Sequence, residues 1–150
     1  CYQEVARKIG VERMKTYLNK INYKGMVFDS TTIDNFWLYG ESKITQIQQI
    51  QFLKRFYFSE LPISKRTESV LKNIMFVEKS ADYTLSGKTG LSVKNELYNG
   101  WFVGYFEEKN KVYFFATNLE PVQKDFIKEK FYTTRIIATK AAFKSLKIFN

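Results

Sequence analysis

The sequence predicts an α+β fold built from helices, three antiparallel strands and a closing helix. Apolar residues recur at helical spacing over residues 43–58. From Tyr83 onward the apolar period changes to two, which is typical of strands. After residue 133 helical spacing returns. Because the 150 residues contain no internal repeat and are 45% hydrophobic, we expect them to form a packed globular body.

The first half of the chain is predicted to be helical. Val5 and Ile9 are four residues apart, and Gly10 ends or bends this helix before a second one over residues 11–18. The helix over residues 43–58 should bury one face, formed by Ile44, Ile47, Ile50 and Leu53. Ser64 is a good N-cap for a further helix that reaches about residue 76.

The second half of the chain is predicted to carry the sheet. A strand that starts at Tyr83 is followed by strands over residues 101–106 and 112–118, joined through a polar hairpin loop at 107–111. The last two are apolar at almost every residue, as expected for strands covered by helices on both faces. Thr133 or Thr134 should cap the closing helix, with Ile137, Ala141 and Leu146 facing inward.

Composition narrows the possible functions. The chain has no histidine, which excludes Ser-His-Asp and Cys-His catalysis and most zinc sites. Cys1, the single cysteine, has no partner for an internal disulfide. The net charge of +9 comes from scattered lysines, and the aromatic residues fall in apolar blocks, so we expect no nucleic-acid partner. No apolar run approaches the roughly 20 residues that cross a bilayer.

Four sequence blocks follow one another in a distinctive order. They are residues 34–40 (DNFWLYG), 86–90 (SGKTG), 100–105 (GWFVGY) and 112–118 (VYFFATN). In this order and spacing the chain resembles the C-terminal part of a class D (oxacillinase-type) serine β-lactamase, and β-lactam sensor domains of membrane receptors share that scaffold. The resemblance implies a transpeptidase-like fold, with residues 1–150 forming the C-terminal part of a single domain.

The Lys-Thr-Gly triplet at 88–90 suits the recognition of a β-lactam. Lys88 supplies a fixed positive charge, and Thr89 a hydroxyl donor for the substrate carboxylate. Gly90 lets substrate lie flat along the strand, because it has no Cβ. The resemblance implies that the backbone N–H of Leu91 is one of two oxyanion donors. The alternative is that Lys88 is a charged residue on an exposed strand edge.

Two further residues are implicated by the resemblance. Arg135 precedes Thr139-Lys140 as the family's carboxylate-binding arginine does, and a cation in the first turn of a helix would be a poor choice for stability alone. Trp37 matches the tryptophan of the class D family whose indole N–H steadies a carbamylated active-site lysine. The alternatives are an ordinary exposed arginine and a core tryptophan.

The family's Ser-x-x-Lys nucleophile and base, and its N-terminal strands, are expected upstream of Cys1. The resemblance therefore implies that the parent protein binds and hydrolyses β-lactams, and that these 150 residues alone are inactive. It also implies a periplasmic or secreted location, no metal and no cofactor besides the carbamylated lysine. Tyr23-Lys24-Gly25 stands where the family has Tyr-Gly-Asn and keeps only the tyrosine, so the resemblance does not imply the family's geometry for this loop. A sensor domain or a non-catalytic binding module of the same fold are the alternatives.

Overall fold

The computed structural model describes residues 2–39, 41–95, 97–122 and 128–148, so Cys1 and Gly40 lie outside it. Its elements are α1 (Tyr2–Ile9), α2 (Val11–Lys20), α3 (Gln46–Tyr57), α4 (Lys65–Met75), β1 (Phe76–Lys79), β2 (Tyr83–Lys94), β3 (Leu97–Glu108), β4 (Lys111–Leu119) and α5 (Lys128–Ser145). The α+β prediction is confirmed. The predicted strand count of three is wrong, because the short strand β1 extends the described sheet to four.

The four strands form one antiparallel sheet in the order β1-β2-β3-β4. β2 pairs with β3 along its whole length, from Tyr83 opposite Glu108 to Lys94 opposite Leu97. The predicted loop between β3 and β4 is shorter than expected, because pairing continues to Glu108 opposite Lys111 and leaves only residues 109 and 110 to turn the chain.

Both faces of the sheet are covered, as the apolar strands predicted. On one face Phe143 of α5 packs into a cluster with Leu85, Phe102, Phe106 and Phe115. On the other face Phe56 of α3 and Leu61 pack against Tyr105. A third cluster joins α1 to the loop after α2, through Ala6, Phe28, Ile33 and Phe36.

The two halves of the α1–α2 prediction are confirmed, with Gly10 standing between the helices. The third helix begins later than predicted, at Gln46, because Thr45 forms a capping box with Gln48. Its predicted buried face is partly wrong. Ile47 is 64% exposed, whereas Gln49 is buried because its side-chain oxygen accepts a hydrogen bond from the Tyr23 hydroxyl (2.7 Å).

The Ser64 cap of α4 is confirmed, since its side chain accepts a hydrogen bond from the Thr67 N–H at 3.1 Å. Glu68 lies in the first turn of this helix and is buried. Its carboxylate pairs with Lys72 at 2.7 Å and accepts a hydrogen bond from Ser59 at 2.7 Å. These contacts tie the loop before α4 to the helix.

The prediction for the start of α5 is wrong. The described helix already includes Lys128, and the hydroxyls of Thr133 and Thr134 donate to the Lys130 carbonyl inside it. The predicted inward face is wrong as well, because Ile137, Ala141 and Leu146 are exposed. The buried face instead repeats every four residues: Phe131, Arg135, Thr139 and Phe143.

Candidate active site

The Lys-Thr-Gly triplet lies on a strand edge that is open in the described structure. β1 pairs with β2 only from Thr84 to Ser86. From residue 87 to residue 94, β2 has β3 on one side and no described strand on the other. An unpaired edge presents backbone N–H and C=O groups to whatever lies beside it. Because the Val93 N–H is bound by the Leu38 carbonyl, the part of this edge that can accept an extended ligand by main-chain hydrogen bonds lies before residue 93.

Alternation along β2 sends the triplet's side chains to opposite faces of the sheet. Lys88 is exposed, and its ammonium group donates to the Thr89 carbonyl at 2.9 Å. Thr89 and Leu91 are half-buried, and Gly90 is exposed. A Cβ added at Gly90 would meet only the Trp101 Cβ, at 3.8 Å. The space beside this glycine is open.

Arg135 lies against the triplet from the α5 side. It is 5% exposed, and Nη1 of its guanidinium donates to the carbonyls of Gly90 and Trp101. Nε and Nη2 donate to the Tyr132 carbonyl at 3.4 and 3.3 Å. The guanidinium carbon also lies 5.9 Å from the centre of the Phe131 ring, within cation–π range. Burial lowers the pKa of Arg135, although an arginine stays protonated.

The prediction that Arg135 lies in the first turn of the closing helix is therefore wrong, although the structure places the residue beside Gly90. Arg135 does not lie in the first turn of α5 but inside the helix. The helix dipole acts only weakly at such an interior position. What distinguishes it is a buried guanidinium held by strand carbonyls. The arrangement fixes a positive charge next to the triplet.

Trp37 lies in the loop before α3, at the far end of β2. It packs edge-on against Phe36, with ring centroids 5.0 Å apart, and is half-buried beside the third cluster, to which Phe36 belongs. The neighbouring Leu38 carbonyl accepts a hydrogen bond from the Val93 N–H at 3.0 Å. The tryptophan loop is thus joined to β2 two residues beyond Leu91.

The loop at Tyr23-Lys24-Gly25 has a defined geometry despite its unusual sequence. Tyr23 is fixed against α3 by its bond to Gln49 and by edge-on packing on Phe52, 4.8 Å between centroids. Burial raises the pKa of its hydroxyl. Gly25 has φ of 87° and accepts a hydrogen bond from the Lys43 N–H, and a Cβ there would lie 2.1 Å from the Lys43 carbonyl oxygen. Glycine is required at this position.

A Ser-x-x-Lys spacing also occurs within the chain, on α4 at Ser69 and Lys72. Ser69 is exposed, whereas Lys72 pairs with Glu68 and donates to the Tyr57 carbonyl at 3.3 Å. These contacts of Lys72 join α4 to the end of α3.

Lys72 also lines a cleft of about 560 Å³ between the helices and the sheet, which no sequence pattern revealed. There the Tyr57 hydroxyl donates to Glu107 at 2.8 Å. Burial, together with this carboxylate, raises the pKa of Tyr57 to about 12. The lining residues are Tyr57, Lys72, Asn73, Phe76, Ser86, Tyr105 and Glu107.

Comparison with known proteins gives one consistent family. Residues 1–142 match the family described as penicillin binding protein transpeptidase domain. The chain is 39% identical over 124 residues to the β-lactamase OXA-48 of Klebsiella pneumoniae, which covers 83% of this chain and 46% of that protein. It is 35% identical over 120 residues to the regulatory protein BlaR1 of Bacillus licheniformis, covering 79% of this chain and 20% of BlaR1.

Solved structures give the same result. The class D β-lactamase of Sebaldella termitidis has a TM-score of 0.89 at 35% identity, over 99% of this chain and 59% of that one. The class D β-lactamase YbXI from Nostoc has a TM-score of 0.86 at 42% identity, over 97% of this chain and 59% of its own.

The chain spans about half the length of the curated β-lactamase it matches, 46% for OXA-48. Among the residues described, no helix is both long and apolar enough to cross a membrane. The chain belongs to the penicillin-binding protein transpeptidase domain family, and its resemblance to the class D β-lactamases is confirmed.

Proposed function

We propose that this chain supplies the strand edge and the carboxylate-binding side of a class D serine β-lactamase. The observation that carries the proposal is the open edge of β2 at Lys88–Gly90 with the buried guanidinium of Arg135 beside it. A β-lactam presents a carboxylate and an amide carbonyl, which such an edge can bind together. The β-lactamase relatives support the assignment.

The reaction takes place in two steps in the complete protein. A serine hydroxyl of the complete protein attacks the β-lactam carbonyl: its proton passes to the carbamylated lysine, the new O–C bond forms, the ring C–N bond breaks and the ring nitrogen takes that proton. In the second step water attacks the serine ester, its proton passes through the same base to the serine oxygen, and the opened product leaves. Without that serine, the 150 residues alone bind weakly and turn over nothing. A periplasmic or secreted location is part of the proposal.

Each site residue has one role in this scheme. Lys88 places positive charge near the reacting carbonyl, while Thr89 and Arg135 hold the substrate carboxylate beside Gly90. The Leu91 N–H is one of two oxyanion donors, a contact whose loss costs about 10²–10³ in rate. Trp37 donates its indole N–H to the carbamylated lysine.

The first experiment compares the complete open reading frame with the 150-residue chain. We expect the complete protein to hydrolyse a chromogenic cephalosporin and to gain the mass of one opened β-lactam, and the chain alone to do neither. If the complete protein neither hydrolyses the cephalosporin nor forms a covalent adduct, the proposed function is wrong. Turnover by the purified chain, with longer species excluded by mass spectrometry, would show that the nucleophile lies within these residues.

The roles are separated by three substitutions in the complete protein. Arg135→Ala removes a charge-assisted contact of about 1.5–3 kcal/mol, so kcat/KM should fall roughly 10- to 100-fold, largely through KM. Lys88→Ala should lower kcat instead, because its charge acts where charge develops. Trp37→Phe loses the indole donor that steadies the carbamylated lysine, so added bicarbonate should partly restore the activity of this variant. If bicarbonate restores Arg135→Ala and not Trp37→Phe, those two roles are wrongly assigned.

A β-lactam sensor domain is the second candidate, favoured by the match to the regulatory protein BlaR1. A sensor would form the same acyl-serine and release it slowly. The lifetime of the covalent adduct therefore distinguishes the two. An adduct that persists for hours without turnover indicates the sensor.

A further inference from the structure

The loop that carries Trp37 is held at both ends by hydrogen bonds. At its start, a carboxylate oxygen of Asp29 accepts hydrogen bonds from the N–H groups of Thr31 (2.8 Å) and Thr32 (3.1 Å), which closes a tight turn. At its end, the Leu38 carbonyl is bound by Val93 of β2. Between these points the loop has no strand or regular helix to fix it.

The middle of this loop is bound from outside by α1. Arg7 Nη1 donates to Asp34 Oδ2, and Nη2 of the same guanidinium donates to Glu4 Oε2 at 2.9 Å. A guanidinium that bridges two carboxylates has its direction fixed by both. Ala6, next to Arg7, is buried in the same cluster as Phe36. Helix α1 thus holds the loop by charge and by packing at adjacent residues.

Asp34 is coupled to Trp37 through consecutive turns of the backbone. The Phe36 N–H donates to the Thr32 carbonyl at 2.9 Å, and the Leu38 N–H donates to the Asn35 carbonyl at 2.8 Å. The first bond closes a turn that contains Asp34, and the second closes a turn that contains Trp37. Asp34 and Trp37 therefore lie in one hydrogen-bonded stretch of backbone.

We propose that Arg7 is a positioning residue that sets the orientation of Trp37 through Asp34. Its importance for catalysis rests on the function proposed above, but the positioning itself does not. The competing explanation is an ordinary surface ion pair, of the kind that often contributes nothing measurable. Such a pair would leave the environment of Trp37 unchanged when removed.

The experiment uses the 150-residue chain at low salt and low concentration, where its net charge of +9 limits association. Two single-tryptophan backgrounds are prepared, Trp101→Phe to report on Trp37 and Trp37→Phe to report on Trp101. Into each we introduce Asp34→Asn, which keeps the shape and removes the charge. Asp82→Asn is the matched control, since Asp82 is exposed in the turn that precedes Tyr83 at the opposite end of β2. Acrylamide quenching and the emission maximum are measured for all six proteins, which are the two backgrounds and the two variants of each.

We expect Asp34→Asn to raise the quenching constant of Trp37 about twofold, because the ring gains contact with solvent, and to leave Trp101 unchanged. Asp82→Asn should change neither. Arg7→Lys keeps one charge but loses the bridge, so it should have an intermediate effect, and it replaces Asp34→Asn if that variant does not fold. An unchanged Trp37 signal, or equal changes at both tryptophans, would overturn the proposal. No β-lactam is needed, so failure here is distinct from failure of the proposed function.

Discussion

Glu68 makes the stability of the fold depend on pH in a direction that can be stated. Its ion pair with Lys72 and its hydrogen bond from Ser59 lower the pKa of its carboxyl to about 2. A carboxyl whose pKa is lower in the folded state stabilises the fold above its unfolded pKa of about 4.3, and the contribution is lost as pH falls through the folded value.

We therefore expect the melting temperature of the unmodified chain to exceed that of Glu68→Gln at pH 6, and the difference to shrink between about pH 4.5 and pH 2. Thermal unfolding followed by circular dichroism across this range measures it. Glu60→Gln, at an exposed position, is the matched control. A Glu68→Gln difference that is the same at pH 6 and pH 2 would contradict the pKa argument.

At the same scale, the sequence correctly predicted that the Lys-Thr-Gly triplet lies on a strand, but it did not predict where Arg135 lies in its helix. Lys88, Thr89 and Gly90 were predictable because they are contiguous, so their spacing along one strand is fixed by the chain. Arg135 depends on how α5 rotates against the sheet, and the sequence reading placed the start of that helix too late. Its contacts with Gly90 and Trp101 join residues 45 and 34 positions apart.

Between β2 and β3 the critical feature is a close backbone approach. A Cβ added at Gly104 would lie 2.0 Å from the Ser86 carbonyl oxygen and 2.6 Å from the Gly87 Cα. Gly104→Ala should therefore lower the free energy of unfolding by at least about 1–3 kcal/mol, the usual cost of overpacking.

Gly90→Ala is the matched substitution on the same pair of strands, where the added Cβ meets nothing closer than 3.8 Å. Its effect on stability should be small, or favourable by up to about 0.5–1 kcal/mol, because alanine loses less entropy than glycine on folding. Urea unfolding of both variants tests the pair. Equal destabilisation would show that the close approach at Gly104 is not what determines the cost.

The elements that were mispredicted share a physical cause. Thr133 and Thr134 looked like caps, but a threonine hydroxyl can also bond to a carbonyl one turn earlier, and both do so to Lys130. β1 was missed because four residues directly after a helix carry no measurable alternation. The long strands β2, β3 and β4 were found because their period is sustained.

For the whole molecule, the distribution of apolar surface is uneven. Val70 and Ile74, one turn apart on α4, are exposed, and so are Phe76 and Val77 of β1, which follows directly. Within the described sheet, β4 also has only β3 as a partner, so its other edge is open. Contiguous apolar surface and open edges both favour association.

The net charge of +9 opposes that association through repulsion between copies. We therefore predict that the 150-residue chain is poorly soluble or associates when expressed alone, and that added salt increases association, because screening weakens the repulsion while the apolar contacts remain. Size-exclusion chromatography with light scattering at low and high salt measures the effect.

Ile74→Gln should reduce the association, whereas Ile137→Gln should not. Both isoleucines are exposed, at 54% and 62%, but Ile74 belongs to the apolar surface of α4 and β1, while Thr134 and Lys140 neighbour Ile137 on α5. The two substitutions remove the same apolar side chain, so their comparison isolates the surface to which it belongs. A monomer at every salt concentration, with one cooperative unfolding transition, would show that neither the α4 surface nor the open strand edge drives association.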